Sequence, residues 1–323
     1  MDKKVDAVIL WVDGEDPKHQ QKIAPYLKKF KGDVPDFVAS PTRYNSVGEI
    51  FYCVASILRF APFINRIFII TDNQDPHVDE FVKKNFPKTK TEIKIIDHKV
   101  IFKGYEQYLP ALNSSAIEAC FHRIPELEDY FLYFNDDMFL MRPISMDDLF
   151  IGEKMIIRGN WRYAFLDRLL KYFKPKVNGE RVHGFKDILM NSALYYGKKC
   201  RYIYLKHNAR ILSKKLFEEV YLKYPNVQHI NLKDKLRDKS HFQTQSFLYQ
   251  YALDKGVAVL DTNAKLLYMK PVNRGNKYVE KKINRAKNDE NLVFGCIGSL
   301  DMATEKDREL VHNWMCELLN VEF

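Results

Sequence analysis

Apolar residues recur along this chain in two rhythms. Residues 5–12 (VDAVILWV) form an almost unbroken, β-branched run, as in a strand buried on both faces. The run stops at Asp13-Gly14-Glu15-Asp16-Pro17, which is turn chemistry, and a polar, basic stretch follows to Arg43. Arg66–Thr71 (RIFIIT), Glu92–Ile96 and Tyr130–Phe134 (YFLYF) repeat the strand pattern. They end at Asp72-Asn73-Gln74, Asp97-His98 and Asn135-Asp136-Asp137. Between the strands, residues 49–60 carry apolar side chains at helical spacing and stop before Pro62, and residues 115–124 also read as a helix. In the second half, residues 162–173, 213–224 and the aromatic-rich 241–254 read as helices. Residues 271–290 read as a basic polar loop, and Thr304–Leu319 as a closing amphipathic helix.

Strands alternating with helices predict an α/β domain with a mostly parallel sheet flanked by helices, followed by a more helical C-terminal half. No repeat or low-complexity linker divides residues 1–323, which read as one domain with a change of character near Phe150. In open sheets of this kind ligands bind beyond the carboxyl ends of the strands. Four successive strands ending in polar, acid-bearing turns should therefore converge on one crevice.

Composition narrows the class. Hydrophobic residues at 46% and charged residues at 29% are ordinary globular values. The formal charge of +9, from 51 Lys+Arg against 42 Asp+Glu, suits a polyanionic partner or simply solubility. No nucleic-acid-binding motif accompanies it, so no nucleic-acid partner is expected. The five scattered cysteines contain no CxxC pair and predict reduced thiols. The charged start MDKKVDAVIL lacks the apolar core of a signal peptide, and no apolar run is long enough to span a bilayer. A cytoplasmic protein is expected, with peripheral contact at the inner face of the membrane left open. P-loop, GxGxxG, HExxH and GxSxG motifs are absent.

The strand-end turns carry the candidate chemistry. Adjacent Asp136 and Asp137 repel unless something cationic sits there, and Mg²⁺ or Mn²⁺ on a diphosphate is the usual resolution. The alternative is a solvated turn. Asp13-Gly14-Glu15-Asp16 stands at the first strand-to-helix turn, where nucleotides dock in such folds, but a plain Asp-Gly turn explains it as well. His98 could be an acid, a base or a phosphate ligand, or a structural histidine. Ser115 and Glu118 fit a capping box, which leaves Asn113 and Ser114 exposed at a helix start. Arg237 could grip a diphosphate with both ends of its fork, and His241, Gln243 and Gln245 follow it closely.

Together these turns resemble a known family. DAVILWVDGEDP is similar to the first conserved region of the Stealth proteins. The span from Arg43 through TDNQDP, IIDHKVI, LPALNSSAIE and HRIPELEDYFLYFNDDMFL resembles the second. HNARILSKKLFEEV through KLRDKSHFQTQSFLYQYAL looks like the third, and VFGCIGSLDMA like a divergent fourth. The resemblance implies a glycosyltransferase-A-like core, a UDP-sugar donor, a divalent metal and transfer of hexose-1-phosphate to a polysaccharide or oligosaccharide hydroxyl with release of UMP. It also implies contact with membrane-bound capsule assembly machinery. Residues 1–150 would bind nucleotide and metal, and residues 151–323 would close on donor and acceptor. By motif, Asp13, Gly14 and Asp16 fall on the nucleotide side. Arg43, Asp72, His98, Asn113, Ser114, Glu118, Asn135, Asp136 and Asp137 fall in the second region, His207 and Arg237 in the third, and Asp301 in the fourth. The metal would lie at Asp136 and Asp137, with Arg43 or Arg237 on the diphosphate and His98 or His241 as base, an Asp such as Asp72 serving equally. A metal-dependent glycosyltransferase releasing UDP and a non-catalytic polysaccharide-binding protein are the competing readings.

Overall fold

Strand β1 (Val5–Leu10) pairs in parallel with two partners, β2 (Ile64–Thr71) on one side and β4 (Tyr130–Asn135) on the other. With β3 (Glu92–Asp97) outside β2, the first four strands predicted from the sequence form one parallel array. The computed structural model describes residues 3–28, 44–173, 183–275 and 277–323. Strands β5 (Met138–Leu140), β6 (Phe150–Ile151), β7 (Lys154–Tyr163), β8 (Arg201–Leu205), β9 (Arg210–Ser213), β10 (Ala258–Asp261), β11 (Leu266–Met269) and β12 (Phe294–Ile297) follow. The main sheet has the order β3-β2-β1-β4-β9, with β9 antiparallel at its edge. Strand order reverses between β1 and β4, which makes the carboxyl end of that pair the place where a crevice opens.

Helices Glu49–Phe60 and Val78–Asn85 lie between the first strands. The former is buried along almost its whole length, as a helix packed on both sides must be. A small sheet, β11-β12-β5, begins where β4 ends: only Asp136 and Asp137 separate β4 from β5, and β5 runs antiparallel to β12. Strand β7 organises a third sheet with β6 and β10, and its far end pairs with β8. One continuous apolar core joins these layers. Among the described residues no helix is long and apolar enough to cross a membrane, and the five cysteines are free.

Several expectations need correction. The helix expected at 115–124 is one short turn, Ser114–Glu118, followed by a 3₁₀ turn at Phe121–Arg123. Residues 271–290 are not a loop throughout, because Tyr278–Asn288 is a helix that buries Val279, Ile283 and Ala286. Its apolar positions are sparse among lysines, so the pattern reads as polar. The stretch after the first turn contains helix Pro17–Leu27, capped by Asp16. The second half contains the expected helices Ala164–Tyr172, Lys214–Lys223, Thr244–Lys255 and Glu305–Leu319, together with short strands that were not foreseen.

His122 lies against this core, its ring stacked on Phe217 at 5.5 Å. Burial pushes its pKa down to about 4, with the Arg123 and Lys214 charges adding to the effect. The neutral ring is therefore favoured in the fold, while the unfolded chain takes up a proton below the usual value near 6.5. The stability this contributes is present above that value and is lost as the pH falls toward 4. Chemical unfolding at pH 7 and pH 4 should show His122→Phe losing about 1–3 kcal/mol less than the parent chain on acidification. Equal losses would show that His122 does not contribute to acid sensitivity.

Candidate active site

The register of β1 on β4 places Leu10 opposite Asn135, so the two strands leave the sheet side by side. A cavity of about 650 Å³ opens at this point. Trp11, Asp72, His98, Asn113, Ser114, Glu118 and Asn135-Asp136-Asp137 line it from the first half, and His207, Arg210, Arg237, His241 and Asp301 from the second. The expected convergence of strand ends is present: β1, β2, β3 and β4 each deliver a residue at or just beyond their carboxyl ends.

Carboxylates crowd the floor. Burial pushes the Asp136 carboxyl well above its usual range, and the neighbouring Asp137 and Glu49 add to the shift. Burial also raises Asp137, to about 6, against the pull of the Arg210 guanidinium. One Asp137 oxygen, Oδ2, accepts a weak hydrogen bond from Cys296 Sγ at 3.4 Å, while Oδ1 is buried with no protein partner. Burial raises Glu49 too, although its Oε2 accepts from the Val47 N–H at 2.7 Å. Such a group of acids is costly to ionise unless a cation joins it. Among the described residues no three His, Cys, Asp or Glu side chains are grouped to hold a metal by themselves. A hard cation such as Mg²⁺ needs only one or two carboxylates when phosphate and water complete its shell, and Asp136 and Asp137 suit that type of site.

Opposing charge comes from two arginines. Arg237 donates from Nη2 to Ser114 Oγ at 2.9 Å. Arg210, at the start of β9, is buried with its Nε unpaired and its guanidinium 5.9 Å from the Tyr133 ring. Both act on Glu118, whose pKa is raised by burial and held back by the two guanidinium charges. Glu118 accepts from Tyr133 OH at 2.9 Å and from Gln243 Nε2 at 2.8 Å. It is thus a network member, not the capping-box partner of Ser115. The cap is Asn113, whose Oδ1 accepts from the Ala116 N–H at 2.9 Å while its Nδ2 donates to the Asp234 carbonyl at 2.7 Å. That bond ties the helix start to the segment carrying Arg237.

The histidines differ in availability. His98 is buried with both ring nitrogens unpartnered, and burial pushes it down to about 4 against the attraction of Asp72 and Asp97. His241 accepts from the Asp238 N–H at Nδ1, 3.2 Å away, so its proton sits on Nε2, 3.4 Å from Asp234 Oδ2. Burial lowers its pKa. His207 packs between Phe185 and Tyr268, pushed down to about 4 by burial and then by Arg210. Asp72 pairs with Lys22 at 2.9 Å, and Asp301 accepts from Asn45 Nδ2 at 3.3 Å. Asn135 shares a hydrogen bond with the Tyr133 hydroxyl.

Asp13, Gly14 and Asp16 do not line the cavity. Asp13 Oδ1 accepts from the Glu15 N–H, and Asp16 caps its helix. Gln74 stitches this turn to the next strand end by bonding the Asp13 carbonyl and Asp16 Oδ2. At Gly14 an added Cβ would lie 2.5 Å from the Cβ of Tyr44, so only glycine permits the approach. Tyr44 itself lines the cavity, and Gly14 therefore shapes it at one remove. Arg43 lies outside the described residues. Sequence reasoning missed Arg210, Glu49 and His19. Arg210 heads a strand too short to notice, Glu49 reads as an ordinary first-turn acid, and His19 belongs to the unforeseen helix. His19 is buried facing Tyr44, with neither ring nitrogen partnered.

This arrangement is the glycosyltransferase-A-like α/β fold. A solved structure sharing it is the apo WbbM bifunctional glycosyltransferase, 10% identical, with a TM-score of 0.50 over 99% of this chain and 52% of that one. The sequence matches Stealth protein conserved region 1 over residues 3–31 and Stealth protein conserved region 2 over residues 43–157. Capsular polysaccharide phosphotransferase cps1A of Actinobacillus pleuropneumoniae is 37% identical over 147 residues, 45% of this chain and 38% of that protein. Capsular polysaccharide phosphotransferase LcbA of Neisseria meningitidis is 38% identical over 149 residues, 46% of this chain and 38% of that protein. The matches thus span well under half the length of these curated relatives.

If the floor acids await a cation, Asp136→Asn should melt higher than the parent chain in chelator, because it removes one ionisable carboxyl from a crowded group of acids. Saturating Mn²⁺ should then raise the melting temperature of the parent, a ligand at a hundred times its Kd adding about 2.7 kcal/mol, and leave the variant unmoved. The same Mn²⁺ shift in Asp136→Asn and Asp137→Asn would remove the pair from metal binding.

Proposed function

We propose that this protein transfers hexose-1-phosphate, of a plain or N-acetylated hexose, from a UDP-sugar to a hydroxyl of a growing surface polysaccharide, releasing UMP. The observation that carries the reading is the half-buried Asp136–Asp137 pair, inside the second matched region, lining one cleft with Arg210 and Arg237. The relatives named as capsular polysaccharide phosphotransferases support the reaction class. A glycosyltransferase releasing UDP on the same core is the second reading, favoured by the WbbM fold likeness alone. A non-catalytic polysaccharide-binding protein leaves the crowded Asp136, Asp137 and Glu49 carboxyls, with Asp137 Oδ1 unpartnered, unexplained. We further assign the acceptor to the assembly machinery at the inner face of the cell membrane.

Asp136 and Asp137 would hold Mg²⁺ or Mn²⁺, which when bound neutralises diphosphate charge. Arg237, oriented by Ser114, and Arg210 bind the phosphate oxygens on which charge accumulates during transfer. His98 is the favoured base, because neither ring nitrogen is hydrogen-bonded and the unprotonated one is free to accept, whereas His241 already spends Nδ1 on the Asp238 N–H. The acceptor oxygen forms a bond to the β-phosphorus, and the bond from that phosphorus to the bridging oxygen breaks. UMP leaves with that oxygen, and the hydroxyl proton passes to His98. The sugar keeps its anomeric oxygen and configuration. Asn113, His207, Asp72 and Asp301 shape the cleft around the donor, and Asp13, Gly14 and Asp16 hold its rim.

Chromatography of the spent nucleotide tests the reaction. UMP should accumulate with acceptor present, well above an acceptor-free control, and the product should contain a phosphodiester visible by ³¹P resonance. Stoichiometric UDP with a phosphorus-free glycan would overturn phosphoryl transfer in favour of glycosyl transfer.

Arg237→Lys retains charge but loses the fork. A charge-assisted contact contributes about 1.5–3 kcal/mol, so kcat should fall roughly ten- to a hundredfold if the bond strengthens in the transition state. An unchanged rate in Arg237→Ala would place Arg237 outside the reaction.

A further inference from the structure

The helix Ala164–Tyr172 is built inside out. Its inward positions are Ala164, Asp167 and Lys171, spaced as one helical face, and the two charged groups are already engaged. Asp167 accepts from the Tyr202 hydroxyl at 2.6 Å and pairs with Lys186, and Lys171 pairs with Asp187 at 2.7 Å. The outward positions are Phe165, Leu166, Leu169, Leu170, Tyr172 and Phe173. Phe165 is 64% exposed, Leu170 61% and Phe173 76%. Scattered exposed apolar residues are ordinary, but a contiguous face of them on one helix marks an interaction surface.

Charge decides the partner. Arg162, Arg168, Lys199 and Arg201 stand exposed on or beside this helix, Arg201 being placed there by its pairing with Tyr163. Of the nearby carboxylates, Asp187 pairs with Lys171, and Asp167 with Lys186 and, at 3.6 Å, with Arg162, which leaves Arg168, Lys199 and Arg201 facing outward. A second copy docking by the same face would bring cationic rims together without acids to match them. An anionic lipid surface meets both features at once: headgroups for the arginines and lysines, and acyl chains for the apolar face. Arg168 and Lys171 also line a hollow with His183, and His183 lines the catalytic cleft, so a surface bound here lies near the cleft.

We propose that the Ala164–Tyr172 helix, with Phe173, seats the protein on anionic phospholipid, lying in the plane of the bilayer interface. This inference is independent of which bond the cleft breaks.

Co-sedimentation with vesicles of phosphatidylcholine alone, and of phosphatidylcholine with phosphatidylglycerol, tests it. The parent chain should bind the phosphatidylglycerol vesicles at low salt and lose most of that binding at high salt. Phe165→Gln/Leu169→Gln/Phe173→Gln should weaken binding at least tenfold, since three large apolar groups no longer enter the interface. Arg168→Gln should weaken it about fivefold, the worth of one cationic residue near an anionic surface. Both variants should keep the parent's Mn²⁺-induced melting shift, which shows an intact fold and cleft. Failure of the parent to bind either vesicle would overturn the proposal, as would binding unaffected by the triple substitution. A dimer in sedimentation velocity that the triple substitution dissolves, without vesicle binding, would assign the face to a second copy instead.

Discussion

The parallel pairing of β1 with β4 is the constraint on which the rest depends. It runs over six residue pairs, Val5 with Tyr130 through Leu10 with Asn135, and both strands are buried nearly throughout. A one-residue slip would turn Asp6 and Asn135 to the wrong faces, so the apolar pattern fixes the register. That register sets Leu10 beside Asn135 and carries the chain through Asp136 and Asp137 directly into β5. Strand β12 then closes on the same turn, its Ile297 N–H donating to the Asp137 carbonyl at 2.9 Å. The acids are therefore held by backbone on both sides, not by a movable loop.

The two ends of this sheet treat buried acids differently. At the amino end Asp6 is fully buried and fully satisfied. Arg66 grips it with Nε and Nη2 at 3.3 and 3.1 Å, and the Glu128 N–H adds a bond at 2.9 Å. That is the arrangement expected where a carboxylate serves the fold. At the carboxyl end Asp137 keeps an oxygen with no protein partner, beside Asp136 and Glu49. The contrast within one sheet argues that the second group is kept for something that arrives. The arginines across the cleft are not substitutes for it, since Arg237 is held toward Ser114 and Arg210 keeps an unused Nε.

The four parallel strands, the Glu49–Phe60 helix and the meeting of their polar ends were legible in the sequence because long apolar runs have one stable use: a sheet covered on both faces. The Tyr278–Asn288 helix was hidden because three buried residues suffice to dock it while lysines fill the rest of its surface. The short strands β8 to β12 are defined by neighbours, which no local pattern contains. Within the site, acid-rich turns were visible, but which acids face inward was not. Asp16 and Asp136 look alike in sequence, yet one caps a helix and the other floors a cleft. Gly14 was singled out for a nucleotide and proves to be needed for contact with Tyr44. Arg210 escaped notice because a lone arginine heading a four-residue strand carries no periodic signal.

The fold cannot choose between attack at phosphorus and attack at the anomeric carbon, because a metal-held diphosphate would sit at Asp136 and Asp137 in either case. The choice follows from where charge grows. In glycosyl transfer positive character builds on the sugar ring, and groups beside that ring should be anionic or neutral. In phosphoryl transfer the charge stays on the oxygens of the moving phosphoryl group, and catalysis is mostly cations placed around it. This cleft adds two arginines, Arg210 and Arg237, to its acid pair. Glu118, the carboxylate nearest to those arginines in charge terms, is bonded to Tyr133 and Gln243 and is not free to face a sugar ring. The distribution of charge therefore suits a phosphoryl group at the centre of the cleft better than an anomeric cation.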